Sequence, residues 1–359
     1  MSSDPPTAAR GARRARPGPR IALAILLASA AAGCGGTFGP AQAEDATPGA
    51  LVALEDGRHI NLRCSGRGSP TVILEAGFSA YSRAWSKVQP TLSRTTRVCS
   101  YDRAGYGFSD PGPSPRDGAA IARDLDRTLE VAKEEGPYVV VGHSAGGLYA
   151  RLFAARRPGE VRGLVLLDPT VEVVAPPGRD GLNGIRRRVQ RCLAAASASP
   201  QPPPGAPEWE GCVPGWADDH VRRAARDPDT WRNQLSELDA IFGRTSEQVG
   251  RLGSLLDDVP AYVITASETA AAAQRVGLGR PESLAELQHL RLALSFRPGF
   301  QRTVYSSHLV MNERPEVVIE AVSAMVKAVR SGMPPEPLPP SETTTLEPSA
   351  TTETASPSP

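Results

Sequence analysis

Short apolar runs alternate with helix-like patterns between residues 50 and 332. Eight of these runs have the length of strands, and the middle ones are continuously apolar, as in strands that are covered on both faces. They begin at positions 51, 59, 71, 97, 138, 161, 261 and 301. Helical patterns intervene at 117–135, 147–157 and 315–331. The alternation predicts an α/β fold with a mostly parallel eight-stranded sheet flanked by helices.

One long interval breaks this alternation. From Thr170 to Asp258 the sequence has no convincing strand, and helical patterns recur at 182–196, 216–226 and 230–242. So many residues between two strands are too many for a plain loop. We therefore predict a helical cap at 170–258, which divides the core into an N-terminal part at 50–169 and a C-terminal part at 259–332.

Both ends of the chain differ in composition from the middle. Residues 1–43 contain an Arg-rich stretch and then the apolar "IALAILLASAAA", a secretory signal too short to be a permanent membrane span. Two processing sites fit this segment: "AAGC" would leave a lipidated, membrane-tethered Cys34, and "AQA" at 41–43 fits ordinary cleavage. The Pro-, Ser- and Thr-rich residues 333–359 predict a disordered tail. We expect a secreted or extracytoplasmic protein, free or lipid-anchored.

Charge and cysteine content narrow the range of partners. The chain has 40 Lys and Arg against 39 Asp and Glu, a formal net charge of +1, so no electrostatic field favours nucleic acid. Besides Cys34 it contains four cysteines, an even number that indicates disulfides in an exported protein. They are Cys64, Cys99, Cys192 and Cys212. The sequence has no zinc-type spacing of His and Cys. It predicts no metal and no cofactor, and it leaves the oligomeric state open.

The stretch "VVVGHSAGG" at 139–147 places a serine between glycines where a strand becomes a helix. The G-x-S-x-G pattern alone is a weak signal, but this context is that of a nucleophile elbow, which exposes the hydroxyl of Ser144 above a sheet. A serine nucleophile needs a base. Among the five histidines, His308 follows the last predicted strand and precedes the last helix, whereas His143 is expected to point away from the nucleophile. We therefore predict Ser144 as nucleophile and His308 as base.

Four motifs in sequence order resemble those of the α/β-hydrolase superfamily, over roughly residues 50–330. Glu75 and Ser307 stand where this family usually has His and Gly. The motifs are "EAGF" at 75–78 for the oxyanion loop, "YDRAGYGFSD" at 101–110 for the D-x-R-G-x-G-x-S segment, "GHSAGG" at 142–147 for the elbow, and "SSHLVMNERPEVV" at 306–318 for the His loop and final helix.

The resemblance implies the α/β-hydrolase fold, with the helical cap inserted after the sixth strand. In this fold the second and fourth strands are neighbours, which would bring Cys64 and Cys99 within bridging reach. A second bridge, Cys192–Cys212, would close a loop in the cap.

The resemblance also implies roles for backbone groups and for an acid. The N–H groups of Phe78 and Ala145 would form the oxyanion hole. Two carboxylates could complete a catalytic triad: Asp168, directly after the sixth predicted strand, and Glu268, after the seventh. We favour Asp168 because it follows its strand immediately and is therefore aimed at the same edge of the sheet.

These features favour an exported serine hydrolase that cleaves a small-molecule carboxylic ester, or less readily an amide, through an acyl-enzyme. An acyltransferase or a proline-iminopeptidase-like peptidase would use the same triad. A non-catalytic surface binding module on the hydrolase scaffold is the alternative from another class. Asp102 and Arg103 of the D-x-R-G segment are expected to shape their loop rather than take part in chemistry.

Overall fold

The computed structural model describes residues 47–173, 175, 182–213, 219–268 and 284–339. The predicted signal segment with Cys34 and the tail from residue 340 onwards lie outside the described residues. Among the described residues, no helix has both the length and the hydrophobicity of a membrane span.

An eight-stranded sheet forms the centre of the described chain, and each of the eight predicted apolar runs supplies one strand. The spatial order is β1-β2-β4-β3-β5-β6-β7-β8. The pairs β1–β2 and β2–β4 are antiparallel, and every later pair is parallel, which confirms the predicted fold class. In chain order the strands β1 to β8 are Ala50–Ala53, His59–Ser65, Thr71–Glu75, Arg97–Tyr101, Tyr138–His143, Val161–Leu167, Ala261–Ala266 and Gly299–Val304.

Helices cover both faces of the sheet, which explains why the central strands are continuously apolar. Helices α2 and α3 pack on one face, and α1 and α10 pack on the other. Short 3-10 helices span Ser82–Trp85 and Pro207–Trp209, and a π-helical turn spans Ile241–Thr245. In chain order the helices α1 to α10 are Gln89–Leu92, Gly118–Ala132, Gly146–Arg156, Asn183–Ser197, Asp219–Ala224, Pro228–Ala240, Ser246–Gly250, Leu284–Leu294, Val310–Glu313 and Pro315–Ser331.

The described part of the interval between β6 and β7 consists of helices, turns and loops and contains no strand. It contains α4 to α7, and we call residues 170–258 the cap. Helix α4 buries Ile185 and Val189, and α6 buries Trp231 and Leu238, all in the same hydrophobic cluster as α2 and α3. The cap therefore shares its core with the helices that flank the sheet.

Two disulfides join the predicted cysteine pairs. Cys64 of β2 and Cys99 of β4 are direct register partners, with their Cα atoms 4.0 Å apart. Cys192 of α4 is bonded to Cys212, which follows the second 3-10 helix. The first bridge fixes the antiparallel edge of the sheet and the second closes a loop within the cap.

A buried ion cluster of Glu75, Arg103 and Glu237 lies between the sheet and the cap. Arg103 Nη1 is 2.8 Å from Glu75 Oε1, and Arg103 Nη2 is 3.0 Å from Glu237 Oε1. None of the three side chains is more than 3% exposed, so water screens these charges little. Burial raises the pKa of Glu75 to about 7, against the opposing effects of Arg103 and of a hydrogen bond from Tyr101.

Loss of the cap disulfide should destabilise the fold. Replacing both Cys192 and Cys212 by Ser should lower the free energy of unfolding by about 3 kcal/mol, since the bridge closes a loop of sequence separation 20 in the unfolded chain. Urea unfolding measures the difference. The matched Cys64→Ser/Cys99→Ser pair, with separation 35, should lose about 4 kcal/mol by the same relation. Unchanged unfolding midpoints would contradict the bridges.

The charge on Glu75 should make stability fall as pH rises. Its pKa in the fold, about 7, lies above the ordinary value of 4.5, so between these two pH values the folded chain binds more protons than the unfolded chain. The stability that Glu75 contributes is therefore complete below about pH 4.5 and lost as pH passes 7. The neutral isostere Glu75→Gln should gain stability relative to wild type from pH 5 to pH 8. Parallel curves of urea stability against pH would show that the Glu75 carboxyl titrates normally.

Candidate active site

Ser144 occupies the turn between β5 and α3. Strand β5 ends at His143 and α3 begins at Gly146, and Ser144 has a φ of 52°, a left-handed conformation that is strained for a residue other than glycine. Its N–H donates to the carbonyl of Leu167 at 3.0 Å, and its carbonyl accepts from the N–H of Thr170 at 2.9 Å. The end of β6 and the first residue of the cap therefore hold the turn.

Steric constraints explain why both G positions of the G-x-S-x-G pattern are glycine. A Cβ at Gly142 would lie 2.6 Å from the carbonyl oxygen of Gly146. A Cβ at Gly146 would lie 2.5 Å from the carbonyl oxygen of Glu75. Neither contact is sterically possible, because these atoms belong to backbone that cannot move aside. The close approach of β3, β5 and α3 therefore requires glycine at both positions.

Asp168 contacts His308 directly. Asp168 is the first residue after β6, its side chain is fully buried, and its Oδ2 is 2.6 Å from His308 Nδ1. The other oxygen, Oδ1, accepts from the N–H of Ala266 at 3.0 Å. Because Nδ1 donates to the carboxylate, the lone pair of a neutral His308 lies on Nε2. His308 is thus oriented as a proton acceptor.

Glu268, the alternative acid, is placed differently. It follows β7, its side chain is exposed, and its N–H donates to the carbonyl of Ser306 at 3.1 Å. The structure therefore brings Asp168 to the imidazole of His308 and leaves Glu268 at the surface.

His143 packs against His308. The sequence analysis expected His143 to point away from the nucleophile and did not predict this contact. The two ring centroids are 4.7 Å apart. His143 Nε2 is 2.8 Å from the carbonyl oxygen of His308, and it must donate because a carbonyl only accepts. Burial lowers the pKa of His143 to about 3, with a smaller contribution from the nearby His308. His143 is therefore neutral and fixes the backbone of the His308 loop.

His289 of α8 is a second buried histidine, and sequence reasoning gave it no part in the site. Its Nε2 donates to the carbonyl of Pro169 at 2.9 Å, and its Nδ1 is 3.0 Å from Thr265 Oγ1. Nδ1 is also 3.9 Å from Asp168 Oδ1. Burial lowers the pKa of His289. The only sequence signal for this residue was its place in a helical pattern.

Residues 76–79, which we call the oxyanion loop, approach Ser144 closely. A Cβ at Gly77 would lie 3.0 Å from the Cβ of Ser144. The loop turns back where the N–H of Ala80 donates to the carbonyl of Gly77 at 3.2 Å. Phe78 follows Gly77 in this turn, and Ala145 is the N-cap of α3, where the first amides have no acceptor within the helix. Both predicted oxyanion donors therefore belong to segments that adjoin Ser144, and their role stays a prediction.

Arg103 supports the oxyanion loop from behind. Its Nη1 donates to the carbonyl of Ala76 at 2.7 Å, and its Nη2 donates to the carbonyl of Gly77 at 2.8 Å. The neighbouring Asp102 holds a different segment, since its carboxylate accepts the N–H groups of Ser82 and Phe108 at 3.0 and 2.9 Å. Both residues shape loops, as the sequence predicted, but the loop that Arg103 holds is part of the site.

Comparison with known families and curated proteins supports the hydrolase fold. A family model described as "alpha/beta hydrolase fold" matches residues 70–182. An uncharacterized protein of Schizosaccharomyces pombe is 33% identical over 153 residues, which cover 34% of this chain and 28% of that protein. An AB hydrolase superfamily protein of Gibberella zeae is 38% identical over 97 residues, 27% of this chain and 30% of that protein. The chain therefore matches less than a third of the length of these two relatives.

Solved structures align with a larger share of the chain. The enol-lactonase from Burkholderia xenovorans is 19% identical, with a TM-score of 0.54 over 77% of this chain and 98% of the enzyme. A hydrolase from Pseudomonas aeruginosa is 20% identical, with a TM-score of 0.53 over 77% of this chain and 97% of that protein. At these identities the likeness concerns the fold. The strand order, the match of the family model and these structural alignments together show that the chain has the α/β-hydrolase fold.

Proposed function

We propose that the protein is an exported serine hydrolase that cleaves a carboxylic ester through an acyl-enzyme. The observation that carries the proposal is the 2.6 Å contact between His308 Nδ1 and Asp168 Oδ2. Ser144, in a strained strand-to-helix turn, donates its N–H to the carbonyl of Leu167, the residue before Asp168. A hydroxyl becomes an effective nucleophile when an adjacent imidazole accepts its proton and a carboxylate orients that imidazole. The hydrolase fold supports hydrolysis or acyl transfer. The proposal adds to this that the bond is an ester and that the protein is exported.

The proposed reaction gives each of these groups one role. Ser144 Oγ attacks the ester carbonyl carbon while Nε2 of His308 takes the hydroxyl proton. The N–H groups of Phe78 and Ala145 donate to the oxyanion of the tetrahedral intermediate. His308 then returns the proton to the departing alkoxide, and a water molecule activated by the same imidazole hydrolyses the acyl-enzyme. Asp168 stabilises the imidazolium that forms in each half-reaction.

The buried carboxylates disfavour a peptidase that recognises a free amino terminus. Such an enzyme needs a carboxylate that can pair with the substrate ammonium group. Glu237 of the cap already accepts hydrogen bonds from Arg103 and from Tyr149. Glu75 is held by Arg103 and by Tyr101. Neither carboxylate is free to bind substrate, so we place ester cleavage ahead of a proline-iminopeptidase-like activity.

Export is proposed from the sequence of the N-terminal segment and from the two disulfides. Disulfides persist in oxidising compartments and are rare in the cytosol. The chain joins all four of the cysteines outside the predicted signal in bridges.

Removal of the nucleophile should abolish turnover. Ser144→Ala should lower kcat for p-nitrophenyl butyrate by a factor that reaches about a million in triad enzymes, because attack on the carbonyl is lost. A fluorophosphonate probe should label wild type at one residue and should not label the variant. His308→Ala should be comparably inactive, whereas His143→Ala keeps the base and should retain much more activity.

A folded wild-type protein that resists the probe would instead support a non-catalytic binding module. Product analysis with an added alcohol separates hydrolysis from acyl transfer.

Loss of the acid should be severe but smaller than loss of the nucleophile. Asp168→Asn keeps the shape of the side chain and removes its charge, so kcat should fall by about four orders of magnitude as His308 loses its tautomer and its counter-charge. Glu268→Gln is the matched control, because its side chain is exposed, and it should leave kcat within about twofold. The opposite ranking of the two variants would move the acid to the end of β7.

A further inference from the structure

Arg103 is the point at which the cap meets the oxyanion loop. Its guanidinium has five N–H groups, and each has a protein acceptor. Nη1 donates to Glu75 Oε1 and to the carbonyl of Ala76, at 2.8 and 2.7 Å. Nη2 donates to the carbonyl of Gly77 and to Glu237 Oε1, at 2.8 and 3.0 Å, and Nε donates to Glu237 Oε2 at 3.4 Å. No donor is left for a substrate anion, so Arg103 acts on the protein itself.

Glu237 brings the cap to this arginine. It lies on helix α6 and is separated from Arg103 by 134 residues along the chain. Its Oε1 also accepts from the hydroxyl of Tyr149 on α3, at 3.1 Å. The guanidinium lies over the rings of Tyr106 and Tyr149, 4.8 and 5.3 Å from their centroids. One carboxylate on a cap helix thus touches both the core helix that follows the nucleophile and the arginine behind the oxyanion loop.

The contact of Arg103 with Glu237 and its contacts with the oxyanion loop depend on each other. A buried guanidinium that loses a charged partner is left uncompensated in a medium that screens little, and it relaxes towards other acceptors or towards water. The carbonyls of Ala76 and Gly77 would then lose the donors that hold them. The carbonyl of Gly77 and the N–H of Phe78 belong to one planar peptide unit, so the direction of this N–H changes with that carbonyl.

We propose that Arg103 is a positioning residue, through which the seating of the cap carboxylate Glu237 fixes the oxyanion loop. The proposal rests on the proposed hydrolase function for its catalytic consequence and on the ion cluster alone for its structural part. Oxyanion donors act mainly on the transition state. A displaced loop therefore lowers kcat and leaves KM nearly unchanged.

The test compares Glu237→Gln with a matched ion-pair variant. Glu237→Gln keeps the size of the side chain and removes its charge. Glu172→Gln is the control: Glu172 also lies in the cap and pairs with Arg151 of α3, at 2.5 and 3.0 Å, but this pair does not contact the oxyanion loop. For wild type and both variants we would measure kcat and KM for p-nitrophenyl butyrate, the melting temperature, and hydrogen–deuterium exchange of the peptide that contains residues 75–80.

We expect Glu237→Gln to lower kcat by about 10- to 100-fold, somewhat less than removal of a whole oxyanion donor, with KM within about twofold. The loop amides should exchange at least about tenfold faster, equivalent to a local opening easier by about 1.4 kcal/mol. Glu172→Gln should lower the melting temperature without changing loop exchange or kcat. If Glu237→Gln does not fold, Glu237→Asp keeps the charge but shortens its reach, and the same changes are expected to a smaller extent.

Loop exchange and kcat together separate this proposal from the proposed function. Loop exchange in Glu237→Gln equal to that of wild type would overturn the coupling, whatever the activity. Faster loop exchange with unchanged kcat would overturn the positioning role. Faster loop exchange in a protein whose wild type neither hydrolyses esters nor reacts with a fluorophosphonate would keep the coupling and refute the hydrolase.

Discussion

The parallel register of the central strands is the constraint on which the site depends. In this register Glu75 pairs with Gly142, His143 pairs with Leu167, and Leu167 pairs with Ile264. The carboxyl ends of β3, β5, β6 and β7 therefore lie at the same level. The oxyanion loop, Ser144 and Asp168 follow the ends of β3, β5 and β6, and Ala266, the last residue of β7, donates its N–H to Asp168. A shift of one residue in any pair would move a catalytic group by about 3.3 Å, farther than hydrogen-bond geometry tolerates.

This constraint explains how much the sequence could predict. Buried parallel strands are visible as apolar runs, and a polar residue directly after such a run is aimed at the carboxyl edge of the sheet. Ser144 and Asp168 follow β5 and β6 in this way, and His308 follows β8 at a short distance, so position alone made all three candidates for the site. Glu268 was the weaker candidate because it lies three residues beyond "VIT" at the end of the apolar run, and in the structure its side chain is exposed.

The contacts that sequence reasoning missed join segments that are distant along the chain. Arg103 and Glu237 are 134 residues apart, and His143 and the carbonyl of His308 are 165 residues apart. Neither pair has a local pattern, because periodicity and turn residues report on neighbours within one element. Glu75 was noticed only as a departure from the family pattern. Its buried partner gives the departure a physical reason: the carboxyl group at the end of β3 supplies a hydrogen-bond acceptor for Arg103.

The electrostatics of the site follow from which buried groups carry charge. His143 and His289 both lie near His308 or its acid, and burial lowers the pKa of each, so neither adds a positive charge there. When His308 accepts a proton, the imidazolium is stabilised by the Asp168 carboxylate without repulsion from its neighbours. The charges that the fold does bury, Glu75, Arg103 and Glu237, form a separate cluster behind the oxyanion loop. Such clusters contribute little net stability because desolvation offsets their attraction. The cluster instead gives the loop one fixed position, and preorganised donors of this kind stabilise a transition state without reorganising during the reaction.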